Sequence, residues 1–212
     1  LVESKALSPR SQLQDVTNNL PTEVMKPEIL RQETLSEGKF LRLELLHYRD
    51  CSGHPRKWEA VQRCTLPQVV VIIATLHPSG EILLIRQFRP PVNAFVLEFP
   101  AGLVDPGESV AEAARRELLE ETGYIGQVEW QSSPGASSAG LTGELLTNVL
   151  MTVEQSCPEN QRPRQSLQDG EEIAVFKCQP AALPEFFREQ IAGGAVLDSR
   201  LSAWACAQGL RW

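Results

Sequence analysis

The sequence predicts an α/β protein, in which a main domain of strands and helices over residues 67–212 follows a small antiparallel β-sheet over residues 28–66. Short apolar runs bounded by Pro and Gly recur between Leu41 and Phe99, and the segment at 109–122 then changes to helical spacing. Strand-like and helix-like segments follow one another to the end of the chain, as α/β packing requires.

Residues 1–27 are polar, with scattered Ser, Pro, Asn and Gln and no sustained period, and read as a mobile arm. From Ile29 the pattern changes. Leu41, Leu43 and Leu45 alternate with Arg42, Glu44 and Leu46, which is a half-buried strand. Asp50-Cys51-Ser52-Gly53-His54-Pro55 is a turn, and Lys57 to Thr65 is extended again, giving the small N-terminal sheet. Three strands follow at Val69–Leu76, Ile82–Phe88 and Phe95–Phe99, punctuated by Pro78-Ser79-Gly80 and Pro90-Pro91. Ser109 to Thr122 sets Ala111, Ala114 and Leu118 on one helical face, with Gly123 at the stop position. Further strands fall at Leu145–Val153 and Ile173–Lys177, and helices at Leu183–Ile191 and Ser199–Gln208.

Composition excludes several classes of function. A net charge of -7 opposes a broad grip on nucleic acid, which needs a surplus of Lys and Arg. The longest apolar run, Val69 to Ala74, is too short for a membrane helix. Five scattered cysteines, odd in number and without a C-x-x-C pair that would suggest zinc or redox chemistry, point to a reduced compartment, the cytoplasm or also the nucleus.

The chemistry concentrates in one stretch. Glu117, Glu120 and Glu121 share a helical face, preceded by Arg116 and by Gly102, Asp105, Pro106, Gly107 and Glu108. Such like charges cost roughly 0.2–0.5 kcal/mol per pair, and a Glu near a helix C-terminus opposes the dipole by about 0.3–1 kcal/mol. A divalent cation reverses both penalties, and Mg2+ commonly binds through one or two carboxylates plus substrate phosphates. An isolated E-x-x-E-E string is usually a solvated face, but the flanking glycines and Arg116 set this one apart.

The string from Gly102 through Glu108, Arg116-Glu117-Leu118-Leu119-Glu120-Glu121-Thr122-Gly123 to Tyr124 resembles the Nudix box at every defining position. The resemblance implies an α/β/α sandwich with a mixed sheet and Mg2+-dependent hydrolysis of a nucleoside diphosphate linked to another group, with Mn2+ as a possible substitute. It assigns metal ligation to Glu117, Glu120, Glu121 and the carbonyl of Ala101, and Arg116 can hold and orient one of those carboxylates. The general base it suggests lies in the loop Asp169-Gly170-Glu171-Glu172, at Glu171 or in reserve Glu172; both could equally be turn carboxylates.

Glu37-Gly38-Lys39-Phe40, Lys57-Trp58-Glu59-Ala60-Val61-Gln62-Arg63, Gln87-Phe88-Arg89-Pro90-Pro91 and Glu98-Phe99-Pro100-Ala101-Gly102 are similar to segments of the animal-type ADP-sugar pyrophosphatase branch. That similarity implies a homodimer with shared active sites, exchanged N-terminal sheets, and ADP-ribose as the first-choice substrate. Trp58 would stack on the adenine, Glu59 would accept from its amino group, and Arg63 and Arg89 would face the diphosphate. Phe40, Leu103 and Ser138 are the remaining substrate contacts it suggests, Ser138 towards the terminal ribose. Phe40 stands where relatives carry Trp, and Ala139 where ADP-ribose-cleaving members carry Pro. Other ADP-sugars, UDP-sugars and oxidised nucleoside diphosphates such as 8-oxo-dGDP therefore stay open, as does a non-catalytic ligand-sensing domain.

Overall fold

In the computed structural model, residues 25–65 and 68–212 are described; most of the expected arm at 1–27 lies outside them. Three strands, β1 (Glu28–Glu37), β2 (Leu41–Arg49) and β3 (Pro55–Arg63), form an antiparallel meander in the order β1-β2-β3. Nearly every residue of β1 is exposed, so no alternation of burial marks that strand in the sequence.

The second sheet has nine strands. Its main path is β12 (Val196–Leu197), β6 (Ala94–Glu98), β5 (Ile82–Arg89), β4 (Gln68–His77), β10 (Leu145–Glu154) and β8 (Gln127–Gln131). Off that path, β11 (Ile173–Cys178) pairs with β5, β7 (Ala101–Leu103) with β4, and β9 (Gly135–Ala136) with β10. β4 runs parallel to β10 and β6 parallel to β12, while the other pairs are antiparallel, so the sheet is mixed.

The central strand β4 explains the two-sided core. Val70, Ile72, Ala74 and Leu76 point to one face and pack with Ala113, Ala114 and Leu118 of α1 (Val110–Thr122). Val71 points to the other face, which is covered by Leu183 and Phe187 of α2 (Leu183–Ala192) and by Leu201 and Ala205 of α3 (Ser199–Ala207). Burial on both faces is why this strand reads as a continuous apolar run rather than an alternating one. The result is the α/β/α sandwich expected from the box. Within α1 the inner stripe is Ala113, Ala114 and Leu118; Ala111, expected there, is only half-buried.

Two local devices fix α1 beside the sheet. Ser109 and Glu112 form a reciprocal capping box at its start. At its end Gly123 takes φ 76, and a Cβ there would meet the Arg164 backbone nitrogen at 2.4 Å, so only glycine lets the 163–164 chain pass.

Candidate active site

A cleft of about 740 Å3 opens beside β7 and α1. Among the residues that reach it are Arg63 from β3, Arg89 from β5, Glu98 from β6, Arg116, Glu117 and Glu121 from α1, and Asp198 with Arg200 from the start of α3.

Arg116 is the hub of its polar wall. It makes a two-pronged contact with Glu108, Nε at 3.0 Å and Nη2 at 2.8 Å, and also donates to Glu117 at 2.8 Å, to Glu120 at 3.4 Å and to the Leu103 carbonyl at 2.9 Å. The guanidinium holds Glu108 below the ordinary carboxylate range and is itself stabilised in its charged form. One side chain thus ties the loop before α1, the short strand β7 and two of the helix carboxylates into a single geometry.

Glu117 and Glu121 line the cleft, whereas Glu120, one helical step round, does not. The Glu117 carboxylate rests against Gly102, where an added Cβ would fall 1.8 Å from its Cδ. Burial raises the Glu117 carboxyl, an effect that Arg116 opposes and that Glu120 and Glu171 reinforce. Glu121 is 6% exposed and accepts from the Ala101 N–H at 2.9 Å. Burial pushes its carboxyl up to about 8, with Glu117 and Glu98 adding like charge. Among the described residues no three Asp, Glu, His or Cys side chains converge on one point. What the site offers is a buried carboxylate short of positive charge, a second one cradled by Gly102, and the adjacent Ala101 backbone. That set fits a hard divalent cation whose other ligands come from phosphate and water.

The loop carrying the expected base is pinned to the end of α1. Ser166 N–H donates to the Glu120 carbonyl at 2.9 Å, and the Gln165 amide donates to the Glu121 carbonyl at 2.6 Å, so both carbonyls at the helix end are satisfied. This anchoring brings Glu171 to the cleft, with its carboxylate accepting from Gln168 N–H at 2.9 Å. Glu172 is exposed and is not among the residues lining the cleft.

The expected substrate contacts divide. Arg63, Arg89, Leu103 and Ala101 line the cleft. Trp58, Glu59, Phe40 and Ser138 are exposed and do not line it within one chain. Trp58 donates its indole N–H to the Gly140 carbonyl at 3.1 Å, and Val61 N–H donates to the Leu141 carbonyl at 2.8 Å, so the edge of β3 docks on the loop before β10. Arg63 reaches Glu144 at 2.5 Å across the same junction.

Three cleft residues, Glu98, Asp198 and Arg200, were given no site role from the sequence. Glu98 is buried, which raises its carboxyl, and it accepts from Arg89 at 2.9 Å. Asp198 caps α3 and binds Arg200 at 2.7 Å. Only the folding of α3 back onto β6 delivers these last two.

A mixed sheet sandwiched between helices, with Glu117 cradled by Gly102 and Glu121 buried beside Ala101, is the arrangement of a Nudix fold, and the chain belongs to that family: the NUDIX domain model matches residues 66–196. Among its relatives, the ADP-ribose pyrophosphatase of Saccharomyces cerevisiae is 36% identical over 183 residues, 82% of this chain and 78% of that protein. The ADP-sugar pyrophosphatase of Mus musculus is 37% identical over 156 residues, 70% of this chain and 71% of that one. A crystal structure of an ADP compounds hydrolase superposes with a TM-score of 0.59 at 23% identity, covering 78% of this chain and 86% of that one, and shares the fold. No helix of the described residues is long and apolar enough to cross a membrane.

Proposed function

We propose that the chain is a Mg2+-dependent diphosphatase that hydrolyses ADP-ribose and related ADP-sugars to AMP and a sugar phosphate, with Mn2+ able to replace Mg2+. The observation that carries this reading is the pair Glu117 and Glu121 beside Ala101 and Gly102, lining one cleft together with Arg63 and Arg89. The names borne by the yeast and mouse relatives support the choice of nucleotide.

The carboxylates of Glu117 and Glu121 and the Ala101 carbonyl would hold the cation, and Glu120 would add to the negative field from one helical step away. When bound, the cation supplies charge neutralisation at the phosphate oxygens and acidifies a water. Arg116 fixes the rotamers of Glu117 and Glu120. Arg63 and Arg89, already oriented by Glu144 and Glu98, present their remaining N–H groups to the diphosphate. Glu171, which lines the same cleft, would accept the proton of the attacking water. Glu172 substitutes for it only if the 169–172 turn rearranges.

The adenine end is read as lying between chains. Trp58 is 47% exposed and Phe40 68% exposed, and β1 adds exposed Ile29, Leu30 and Leu35, so a second copy that covers this sheet would bring Trp58 and Glu59 to its partner's cleft. Ser138, in the loop on which β3 docks, would then serve the terminal ribose. This homodimer with shared sites acts in the cytoplasm, in keeping with the free, exposed Cys51 and Cys206. The test is chromatographic. AMP and ribose 5-phosphate should appear from ADP-ribose only when Mg2+ is supplied, and adenosine or inorganic phosphate as first products would refute the reading.

A further inference from the structure

Glu171 reaches the cleft from an exposed loop, and among the described residues its hydrogen bonds stay within that loop. Its carboxylate accepts from the Gln168 N–H at 2.9 Å and its own N–H donates to the Gln168 carbonyl at 3.1 Å, so both bonds only close the 168–171 turn upon itself. The separation between Glu171 and the carboxylates of α1 is therefore set at the neck of the loop, where residues 165 and 173 come together.

Gln165 holds that neck. A side-chain amide carries two N–H groups, and this one serves two carbonyls: that of Glu121 in the last turn of α1, at 2.6 Å, and that of Ile173, the first residue of β11, at 3.0 Å. Ile173 is buried and pairs with Gln87 of β5, itself a cleft residue. One side chain thus joins the helix that carries Glu117 and Glu121, the start of the loop, and the strand that receives its other end. The Ser166 N–H bond to the Glu120 carbonyl and the passage of Arg164 over Gly123 place only the start of the loop. Gln165 is itself exposed, so water can take over either carbonyl when the amide is removed, and the fold has little to lose. What separate waters do not supply is a fixed span between the two carbonyls.

We propose that Gln165 is a positioning residue for the hydrolysis: its amide latches the 166–172 loop to the end of α1 and to β11, and so sets Glu171 where a water attacking the diphosphate gives up its proton. The proposal rests on the diphosphatase reading of the cleft, with Glu171 as its base. Gln165 touches neither substrate nor water in this role. It acts through the loop, and the geometry it fixes is between two groups that belong to different elements: the carboxylates of α1 on one side and the base on the other. A base must lie within hydrogen-bond reach of the proton it takes, and a supporting contact that leaves it about 1 Å astray can cost on the order of 100-fold in rate.

The experiment is a double-mutant cycle on the full chain with ADP-ribose and Mg2+: wild type, Gln165→Met, Glu171→Gln and the two combined. Met keeps the length of the side chain and removes both donors. Gln165→Glu, which turns an acceptor towards the two carbonyls, is the second variant and should behave like Gln165→Met. Thermal unfolding should place both close to wild type. Gln165→Met should lower kcat by about 10- to 100-fold, at or below the roughly 100- to 10,000-fold that general-base catalysis supplies. KM should stay within about twofold of wild type, because the lost contact matters only in the transition state. Added to Glu171→Gln, Gln165→Met should change kcat by less than about twofold, since residues that act as a unit are not additive. Wild-type kcat in Gln165→Met overturns the proposal, and so does a rise in KM alone. A loss of equal size on the Glu171→Gln background also overturns it, because Gln165 would then act on the carboxylates of α1 or on the fold at large. If Glu171→Gln itself turns over like wild type, the base is elsewhere, and the proposal falls while the diphosphatase reading stands. If the wild type yields no AMP, that reading fails and takes the proposal with it.

Discussion

Gly102→Ala separates the requirements of the fold from those of the site. The Cβ it introduces would lie 1.8 Å from Cδ and 1.9 Å from Oε1 of Glu117. Carbon contacts settle at about 3.5–4.0 Å, so the carboxylate must retreat by roughly 2 Å. It can do so, because what yields is the end of a flexible side chain and not backbone. The fold loses the 2.8 Å bond from Arg116 to Glu117, a cost of about 1 kcal/mol, which shifts Tm by roughly 2–4 °C in a chain of this size. Activity responds differently. A misplacement of about 1 Å can cost on the order of 100-fold in rate, so kcat should fall at least that far. Steady-state hydrolysis of ADP-ribose and thermal unfolding, measured on the same preparation, check both halves. Glu117→Gln combined with Gly102→Ala should be scarcely worse than either alone, since both disable one carboxylate. Wild-type turnover in Gly102→Ala would show that the position of Glu117 against this backbone is immaterial to catalysis.

The remaining predictions probe neighbouring features. Gly123→Ala should do the reverse of Gly102→Ala, costing about 2–3 kcal/mol of stability because φ is 76 and the obstructing atoms are the Arg164 backbone; urea unfolding measures it. Burial holds Glu121 up at about 8 against an ordinary 4.5. The folded, metal-free chain therefore keeps a proton that the unfolded chain releases. The stabilisation is complete below pH 4.5 and is lost as pH rises through about 8. In chelator, Tm should fall over that window for the wild type and less steeply for Glu121→Gln, and Mg2+ should restore it at the alkaline end only in the wild type. Glu121→Gln should also abolish turnover. Trp58→Ala should raise KM about tenfold with little change in kcat, and a loss confined to kcat would contradict the base-stacking role. Mixing Trp58→Ala with Glu121→Gln chains should regenerate some fully active sites, which a monomer cannot do.

What was legible in the sequence follows from where the chemistry resides. Gly102, Arg116, Glu117 and Glu121 lie in one contiguous stretch whose spacing is itself the geometry, so the helix, its carboxylates and the glycine beside them could be read directly. The strands β4, β5 and β6 were legible because their apolar runs end at prolines and glycines. β1 was not, because its residues face solvent on nearly all positions and no period appears. β7, β9 and β12, of two or three residues each, exist only as partners of longer strands and have no local signature. Ala113 replaced Ala111 in the inner stripe because the angle at which α1 meets β4 is a tertiary property. Asp198 and Arg200 were not legible as site residues for a stronger reason, and Glu98, though it lies in a segment that carries the resemblance, shared it: nothing near them in the chain predicts that they will meet Arg89 or one another.

The pairing of charges in the cleft explains how a chain of net charge -7 can recognise a polyanion. Each cleft arginine is held by an acidic partner: Arg63 by Glu144, Arg89 by Glu98, Arg116 by Glu108 and Arg200 by Asp198. These partners orient the guanidinium groups before substrate arrives, which reduces the entropy lost on binding. They also cancel most of the positive field, so the cleft does not attract anions indiscriminately. A phosphate that met the arginines alone would compete with those carboxylates for the same donors. On the proposed reading, a diphosphate that also reached the side of the cleft formed by Glu117 and Glu121 would gain the attraction of a cation held there, which a simple anion would lack. Selectivity for the diphosphate would then arise from requiring the arginines and the carboxylates at once, and neutralising Glu98 or Asp198 should loosen that selectivity before it weakens binding of the substrate itself.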